Sequence, residues 1–401
     1  MPLIESVPLA QLTTLRVGGM PAAMVASPTE QELVDEALVV WSLDEEWMLL
    51  GGGSNTVAAD EPFEGTVIRV ITRGIERLEP AAGVDGAAAD GAAEDGAAED
   101  EAAVVRLRVQ AGEPWDELVA YTIEQGWAGI EALSGIPGSC GAAPVQNIGA
   151  YGQELSDSLV AISFLDYETG EVVRLTAAEL TLGYRTSALK QGLRGIVLAI
   201  ELALTDTAAE ASASGIALGQ PIRYAQLAGA LGVPLGDRVA LATVRATVLA
   251  LRAAKGMVLD DTDTDTWSAG SFFTNPIVSQ NFARSLPAAL PRWSLAVDLP
   301  DRVVPLEDYY GVGPMPGAEV DQGVKLSAAW LIENAGITRG FRLPGSRAAV
   351  SSKHTLALTN TGGASAAEIA ELARFVQGRV QSEFGVNLFA EPVLVGFALE
   401  V

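Results

Sequence analysis

Residues Ser134–Gly152 read SGIPGSCGAAPVQNIGAYG, with five glycines, two prolines and Tyr151 as the one bulky aromatic. A stretch this poor in side-chain volume cannot build a core layer. It can bring bare backbone N–H groups close to a flat, large or anionic ligand, because glycine tolerates positive φ and close approach. Successive free amides then form an anion-binding concavity. A tight structural loop would use the same residues. A second glycine cluster, Gly51-Gly52-Gly53-Ser54-Asn55, follows the apolar run Trp47–Leu50 and favours a cofactor cradle.

Around these loops strands and helices mix. Residues 27–41 predict a helix: Ser27-Pro28-Thr29-Glu30 has the form of a capping box with proline at the first helical position, and Leu33, Val34, Ala37, Leu38 and Trp41 make one apolar stripe. Strands are expected at 47–50, 66–70, 104–110, 160–166, 171–175 and 196–204. A helix is expected from Pro114 to Gln125, stopped by Gly126, and an Ala/Gly-rich link near 205–220. A helix over about 366–384, capped by Ser365 and Glu368 and ended by Gly385, precedes a final strand containing Glu391. Residues 81–103 carry seven carboxylates, no basic residue and nothing apolar larger than Val84. Such a tract cannot offset its ordering entropy and reads as a flexible insertion without a catalytic role.

A chain of 401 residues holds two or three domains of about 100–200 residues each. Its net charge of −26 argues against nucleic acid, whose binding needs phosphate neutralisation by Lys and Arg. A small anionic ligand stays open, since fields are screened over about 8 Å and local cations decide such a site. MPLIESVPLA lacks the features of a signal peptide, no apolar run approaches the ~20 residues of a membrane span, and one cysteine excludes an intrachain disulfide. The expectation is a soluble, cytoplasmic protein.

With only His354 and Cys140, a His-rich zinc site, a Cys-X-X-Cys centre and an H-E-x-x-H helix are impossible, and no metal is expected. A Ser-His-Asp triad could use only His354, and no G-x-S-x-G elbow supplies its serine. The run Asp260–Asp265 resembles the start of a calcium loop, but Thr266 stands where glycine is needed and Phe272 where glutamate is needed. It reads as a solvated acidic loop. Chemistry must therefore rest on carboxylates, Ser, Tyr, Lys, Arg or a borrowed cofactor.

Further pieces are Gly183-Tyr184-Arg185, Gly270-Ser271-Phe272-Phe273-Thr274-Asn275-Pro276 and Glu391-Pro392 in an apolar setting. Tyr184 could be core, Arg185 an ion pair and Ser271 a turn residue; Glu391, a carboxylate in an apolar segment, should stay protonated or seek a partner. Together, in order, IPGSCGAAPVQNIGAYGQE, LGYRTSALK, SAGSFFTNP, SAAWLIENAG and FAEPVLVGF resemble the UDP-N-acetylenolpyruvoylglucosamine reductases, the MurB family of bacterial cell-wall synthesis, over about Leu12 to Phe397. The Asp-rich run between Lys255 and Ser271 departs in composition from that family.

The resemblance implies an α+β fold: a two-part FAD-binding region of the vanillyl-alcohol-oxidase type plus a C-terminal α/β substrate-binding domain. The implied division is 1–74, with 388–401 packing on it, then 75–250, then 251–387 for the UDP-sugar. By position, Gly51, Gly52, Gly53, Ser54, Asn55, Ser134, Pro137, Gly138, Ser139, Cys140, Gly141, Asn147, Gly149 and Ala150 would contact non-covalent FAD. Tyr184, Tyr224, Lys255, Asn275 and Asn334 would hold the sugar nucleotide, Tyr224 being the substrate-loop tyrosine of one subgroup. The alternative for Tyr224 is a core tyrosine at a helix start. NADPH would reduce the flavin, and hydride would pass to the enolpyruvyl methylene carbon of UDP-N-acetylglucosamine enolpyruvate, giving UDP-N-acetylmuramate for peptidoglycan. Arg185 and Glu391 would stabilise the enolate-like charge, and Ser271 would protonate the adjacent carbon. A monomer is expected. The rivals are another oxidase of the same flavin fold, or a flavin-binding protein without activity.

Overall fold

The computed structural model describes residues 4–79, 103–295 and 323–399. The acidic insertion lies outside the described residues except for Ala103. The fold is α+β.

A parallel sheet of three strands opens the chain, with Phe63–Val70 between Pro21–Ser27 and Trp47–Leu50. The helix Glu30–Ser42 covers it, burying Leu33, Ala37 and Val40 against Val25 and Ile68, and against Leu165, Ile196 and Leu198 of the next sheet. This apolar layer joins the first two parts of the molecule. The helix starts later than its sequence suggests. Ser27 is still paired in the strand, opposite Val70, and its hydroxyl donates to Glu36 at 2.9 Å. Thr29 is the N-cap, accepting from the Glu32 N–H.

An antiparallel sheet follows, ordered Val172–Thr176, Leu159–Asp166, Gly195–Asp206, Val104–Gln110, Ile75–Leu78. Val105, Leu107 and Val109 alternate into a core shared with Trp115 and Leu118 of the helix Trp115–Glu124. Gly126 sits at φ +76 just past that helix. The link near 205–220 contains a helix, Ala208–Ser214, with no buried residue. Its alanines favour helix without any core to pack on.

The helices Ala225–Leu231 and Leu241–Ala253 pack together over Ala132 and Ile222. Beyond them lie the strands Ile277–Val278, Arg292–Ser294 and Val324–Leu326, the helix Ala328–Asn334 and the hairpin Ala348–Val350/Leu358–Asn360. The helix Ala366–Phe384 buries Ile369, Leu372, Val376 and Val380 against this group. Ser365 and Glu368 form both halves of its capping box.

The chain then returns to its beginning. Val393–Val395 pairs in parallel with Thr56–Ala58, directly after the first glycine loop. Glu391 precedes this strand and is not part of it. Its N–H donates to Phe272 O at 2.9 Å, and Ala390 bridges to Phe273. The C-terminal segment thus brings Glu391 beside the Gly270–Phe273 loop.

Candidate active site

Both glycine loops line one cleft of about 1010 Å³, at the upper end of the range for a single drug-sized ligand. The loops pack backbone against backbone. A Cβ on Gly52 would stand 2.7 Å from Gly138 Cα, and one on Gly51 would stand 2.4 Å from Ser139 Oγ. Gly138 also sits at φ +116, where only glycine is comfortable. Ser54 Oγ donates to Pro137 O at 3.0 Å and fastens the two loops. These glycines therefore serve loop–loop contact first, a reason beyond the ligand approach expected of them. Among the described residues, the backbone N–H groups of Gly52, Gly53, Ser54, Gly138 and Ser139 have no backbone acceptor. A wall of free amides without side chains fits the diphosphate of a dinucleotide cofactor.

Arg185 also lines the cleft, a non-glycine residue at φ +54 in a tight turn closed by Gly183 and Thr186. Its guanidinium donates to Asn147 O at 3.2 Å and to Gly149 O at 2.8 Å, and Nε lies 3.4 Å from Glu391 Oε1. Burial pushes the Glu391 carboxyl above its ordinary range, while Arg185 and Lys190 pull it down. Burial lowers Lys190 in turn, against the pull of Glu391. Asn55 Nδ2 donates to Gln146 Oε1 at 3.2 Å and to Glu391 O at 3.4 Å, so this side chain braces the carboxylate segment. Ser271 lines the same cleft, anchored by the buried, T-shaped pair Phe272 and Phe273.

The remaining wall is cationic and aromatic. Tyr184 meets the Asn275 amide, and burial raises its phenol. Lys325 Nζ lies 4.5 Å from the Tyr184 ring centroid. Asn275 Oδ1 accepts from Ala328 N–H at 3.0 Å, which fixes its amide. Tyr224 caps its helix and is 45% exposed, so it is not a core tyrosine. Its ring meets Tyr151 edge-on at 5.9 Å. Lys255 donates to Gln226 Oε1 at 3.0 Å, and burial followed by the Arg252 charge lowers its ammonium. Burial also lowers Arg252, whose Nε has no partner. This buried guanidinium N–H beside Lys255 is left without a partner, a costly state for a charged donor.

Four expected contacts lie off the cleft wall. Ser134 is fully buried, its hydroxyl donating to Glu131 O. Cys140 is enclosed in the second core, where burial raises its thiol. Asn147 turns its amide to Glu154, Ser156 and Gly183 O. Asn334 is exposed and bonds Trp330 O one turn back along its own helix. The side chains of Ser134, Asn147 and Asn334 are spent on bonds to neighbouring turns and helix.

Gln146, Arg252, Lys325 and His354 also line the cleft and were not among the expected residues. Scarcity was the available signal. The chain has one histidine and four lysines, at 190, 255, 325 and 353. Among the described residues, no group of three or more His, Cys, Asp or Glu is arranged to hold a metal ion, and no helix is long and apolar enough to cross a membrane.

Fold and cleft together define a cofactor-binding α+β protein with a cationic pocket beside a glycine cradle. A family model described as FAD binding domain matches residues 21–176, and one described as UDP-N-acetylenolpyruvoylglucosamine reductase, C-terminal domain, matches 261–395. The UDP-N-acetylenolpyruvoylglucosamine reductase of Leifsonia xyli subsp. xyli is 59% identical, covering 98% of each chain. That of Mycolicibacterium smegmatis is 40% identical over 100% of this chain and 97% of its own. The crystal structure of the Thermus caldophilus reductase shares the fold, with a TM-score of 0.57 at 24% identity, covering 98% of this chain and 99% of its own. The chain belongs to the UDP-N-acetylenolpyruvoylglucosamine reductase family.

Proposed function

We propose that the protein is an FAD-dependent oxidoreductase of the cytoplasm that reduces UDP-N-acetylglucosamine enolpyruvate to UDP-N-acetylmuramate in peptidoglycan precursor synthesis, with NADPH as electron donor. The observation that carries this reading is that Arg185, Glu391 and Ser271 line the same cleft as the glycine loops, with Arg185 paired to Glu391 and the Glu391 N–H bonded to Phe272 O, next to Ser271. The residues fit FAD: the free amides of Gly52–Ser54 and Gly138–Ser139 would take its diphosphate, with Gly149 and Ala150 further along the same wall. When bound, the flavin supplies a hydride, taken from NADPH, to the enolpyruvyl methylene carbon.

The chain's own groups manage the charge and the proton. As the double bond is consumed, negative charge develops on the carbon beside the substrate carboxylate. Arg185, held by two backbone carbonyls, offers a fixed positive charge that needs no reorganisation. Glu391, raised by burial, offers a donor in its protonated form. The Ser271 hydroxyl delivers its proton to that carbon and is re-protonated from solvent. Tyr184, Asn275, Tyr224 and Lys255 would hold the sugar nucleotide, with Arg252 beside them. An anaerobic spectrum tests the reading. Purified protein should be yellow, bleach with NADPH and recolour with the enolpyruvyl nucleotide. Bleached protein that the nucleotide leaves colourless would overturn it.

A further inference from the structure

The acidic run Asp260–Asp265, expected as a solvated loop, is bonded on two sides. Asp261 pairs with Arg16, whose guanidinium lies 3.7 Å from the Trp267 ring centroid. Asp263 pairs with Lys353 Nζ. Asp265 accepts from the Ser352 N–H at 2.8 Å and from its hydroxyl at 2.5 Å. The loop held this way, 351–355, carries His354 into the cleft, and Thr355 ties its far end to Glu333.

The same bonds reach Lys255. Gly256, at φ +67, lies so close to the run that a Cβ there would stand 3.0 Å from Asp265 O and 3.5 Å from Lys353 Cδ. Lys255 and His354 thus line the cleft from two chain segments that meet on Asp263 and Asp265. Both side chains line the same cleft, and the Lys255 charge helps to lower the His354 imidazole.

Resting on the function proposed above, we propose that Asp263 and Asp265 are positioning residues for the sugar nucleotide. By holding Lys353 and Ser352 they fix the spacing of Lys255 and His354, and so the seat of the nucleotide's anionic end against Lys255. Both members of the Asp263–Lys353 pair are about one-third exposed, and such pairs contribute little to global stability. Breaking one should leave the fold intact and disturb placement, to which binding and catalysis are far more sensitive.

Steady-state kinetics and the single histidine test this. In Lys353→Met and Asp265→Asn, KM for the enolpyruvyl nucleotide should rise roughly 3- to 10-fold, with kcat within about two-fold and FAD content unchanged. The charge-reversed double variant Asp263→Lys/Lys353→Asp should recover much of the loss. In NMR, His354 gives the one imidazole signal. It faces Lys255, Arg339 and Glu333, and lies beside the braced Lys353, Asp263 and Asp265. Burial is the first cause of its lowered value, so an imidazole let out to solvent should titrate higher. A rise in Asp265→Asn would therefore report a loosened loop. Unchanged KM with an unchanged titration overturns the proposal, as does a joint fall of kcat and FAD content. A wild-type protein inert to the nucleotide would sink the proposed function, and the His354 titration would still decide the brace.

Discussion

Arg185 Nε stands 3.4 Å from Glu391 Oε1, joining a left-handed turn between the strands Val172–Thr176 and Gly195–Asp206 of the second sheet to a segment about 200 residues further along the chain. The guanidinium is held by two carbonyls, and the carboxyl is buried enough to sit above its usual range. The pair therefore balances two opposed effects: burial favours neutral Glu391, and Arg185 favours the anion.

That balance gives a pH prediction. Reoxidation of the reduced protein by the nucleotide should slow as pH rises through the raised Glu391 value, because the donor form is lost. Glu391→Gln should flatten this limb while lowering the rate. Lys190→Met removes a charge that pulls Glu391 down, so the limb should move to higher pH. The linkage has the same sign. The folded state binds the extra proton, so the contribution of Glu391 to stability is fully present below its unfolded value and is lost as pH rises through the folded one. Stopped-flow traces across pH would check the first effect and denaturation midpoints the second.

Ser271→Ala should keep FAD content and NADPH bleaching while slowing reoxidation by about 10²–10³, the usual loss for one positioned group. Normal turnover would remove Ser271 from the mechanism.

Gly52→Ala tests the cradle. Its Cβ would meet Gly138 Cα at 2.7 Å, with backbone on the other side and no flexible side chain to yield. Overpacking of this kind costs about 1–3 kcal/mol. The melting temperature and flavin retention should fall together. Gly378→Ala, in open space on a helix, should leave flavin retention unchanged and raise the melting temperature slightly.

His354 predicts an acid-side loss. Burial, with Lys255 and Arg339, lowers its imidazole to about 4. Between the ordinary value and that one the unfolded chain binds more protons, so stability falls as pH drops through this window, by at most about 3 kcal/mol. His354→Gln should remove this component, read as the wild-type minus variant difference in denaturation midpoint.

The helix 366–384 was legible because its capping box and apolar spacing are local. The strand at Val104–Gln110 was legible because its alternation faces a core on one side. The helix cap at Thr29 was misread because Ser27 is claimed by pairing with Val70, a contact distant in sequence. Glu391 was misplaced within a strand for a similar reason: its N–H goes to Phe272 O, far along the chain. The family motifs pointed to the cleft and also swept in Ser134, Cys140, Asn147 and Asn334, whose side chains close local turns or fill core. The acidic run offered composition only. Its partners Arg16, Ser352 and Lys353 lie roughly 90 or more residues away in sequence.

The pairing of Val393–Val395 with Thr56–Ala58 has a consequence for how the protein is made. The strand that follows the first glycine loop waits for its partner until more than 300 further residues have been made. The same late segment delivers Glu391. Domains that form during synthesis ordinarily close in order from the N-terminus; here an early part stays open at one edge until Val393–Val395 emerges. A chain cut before Glu391 loses a strand neighbour and a buried carboxyl in one stroke.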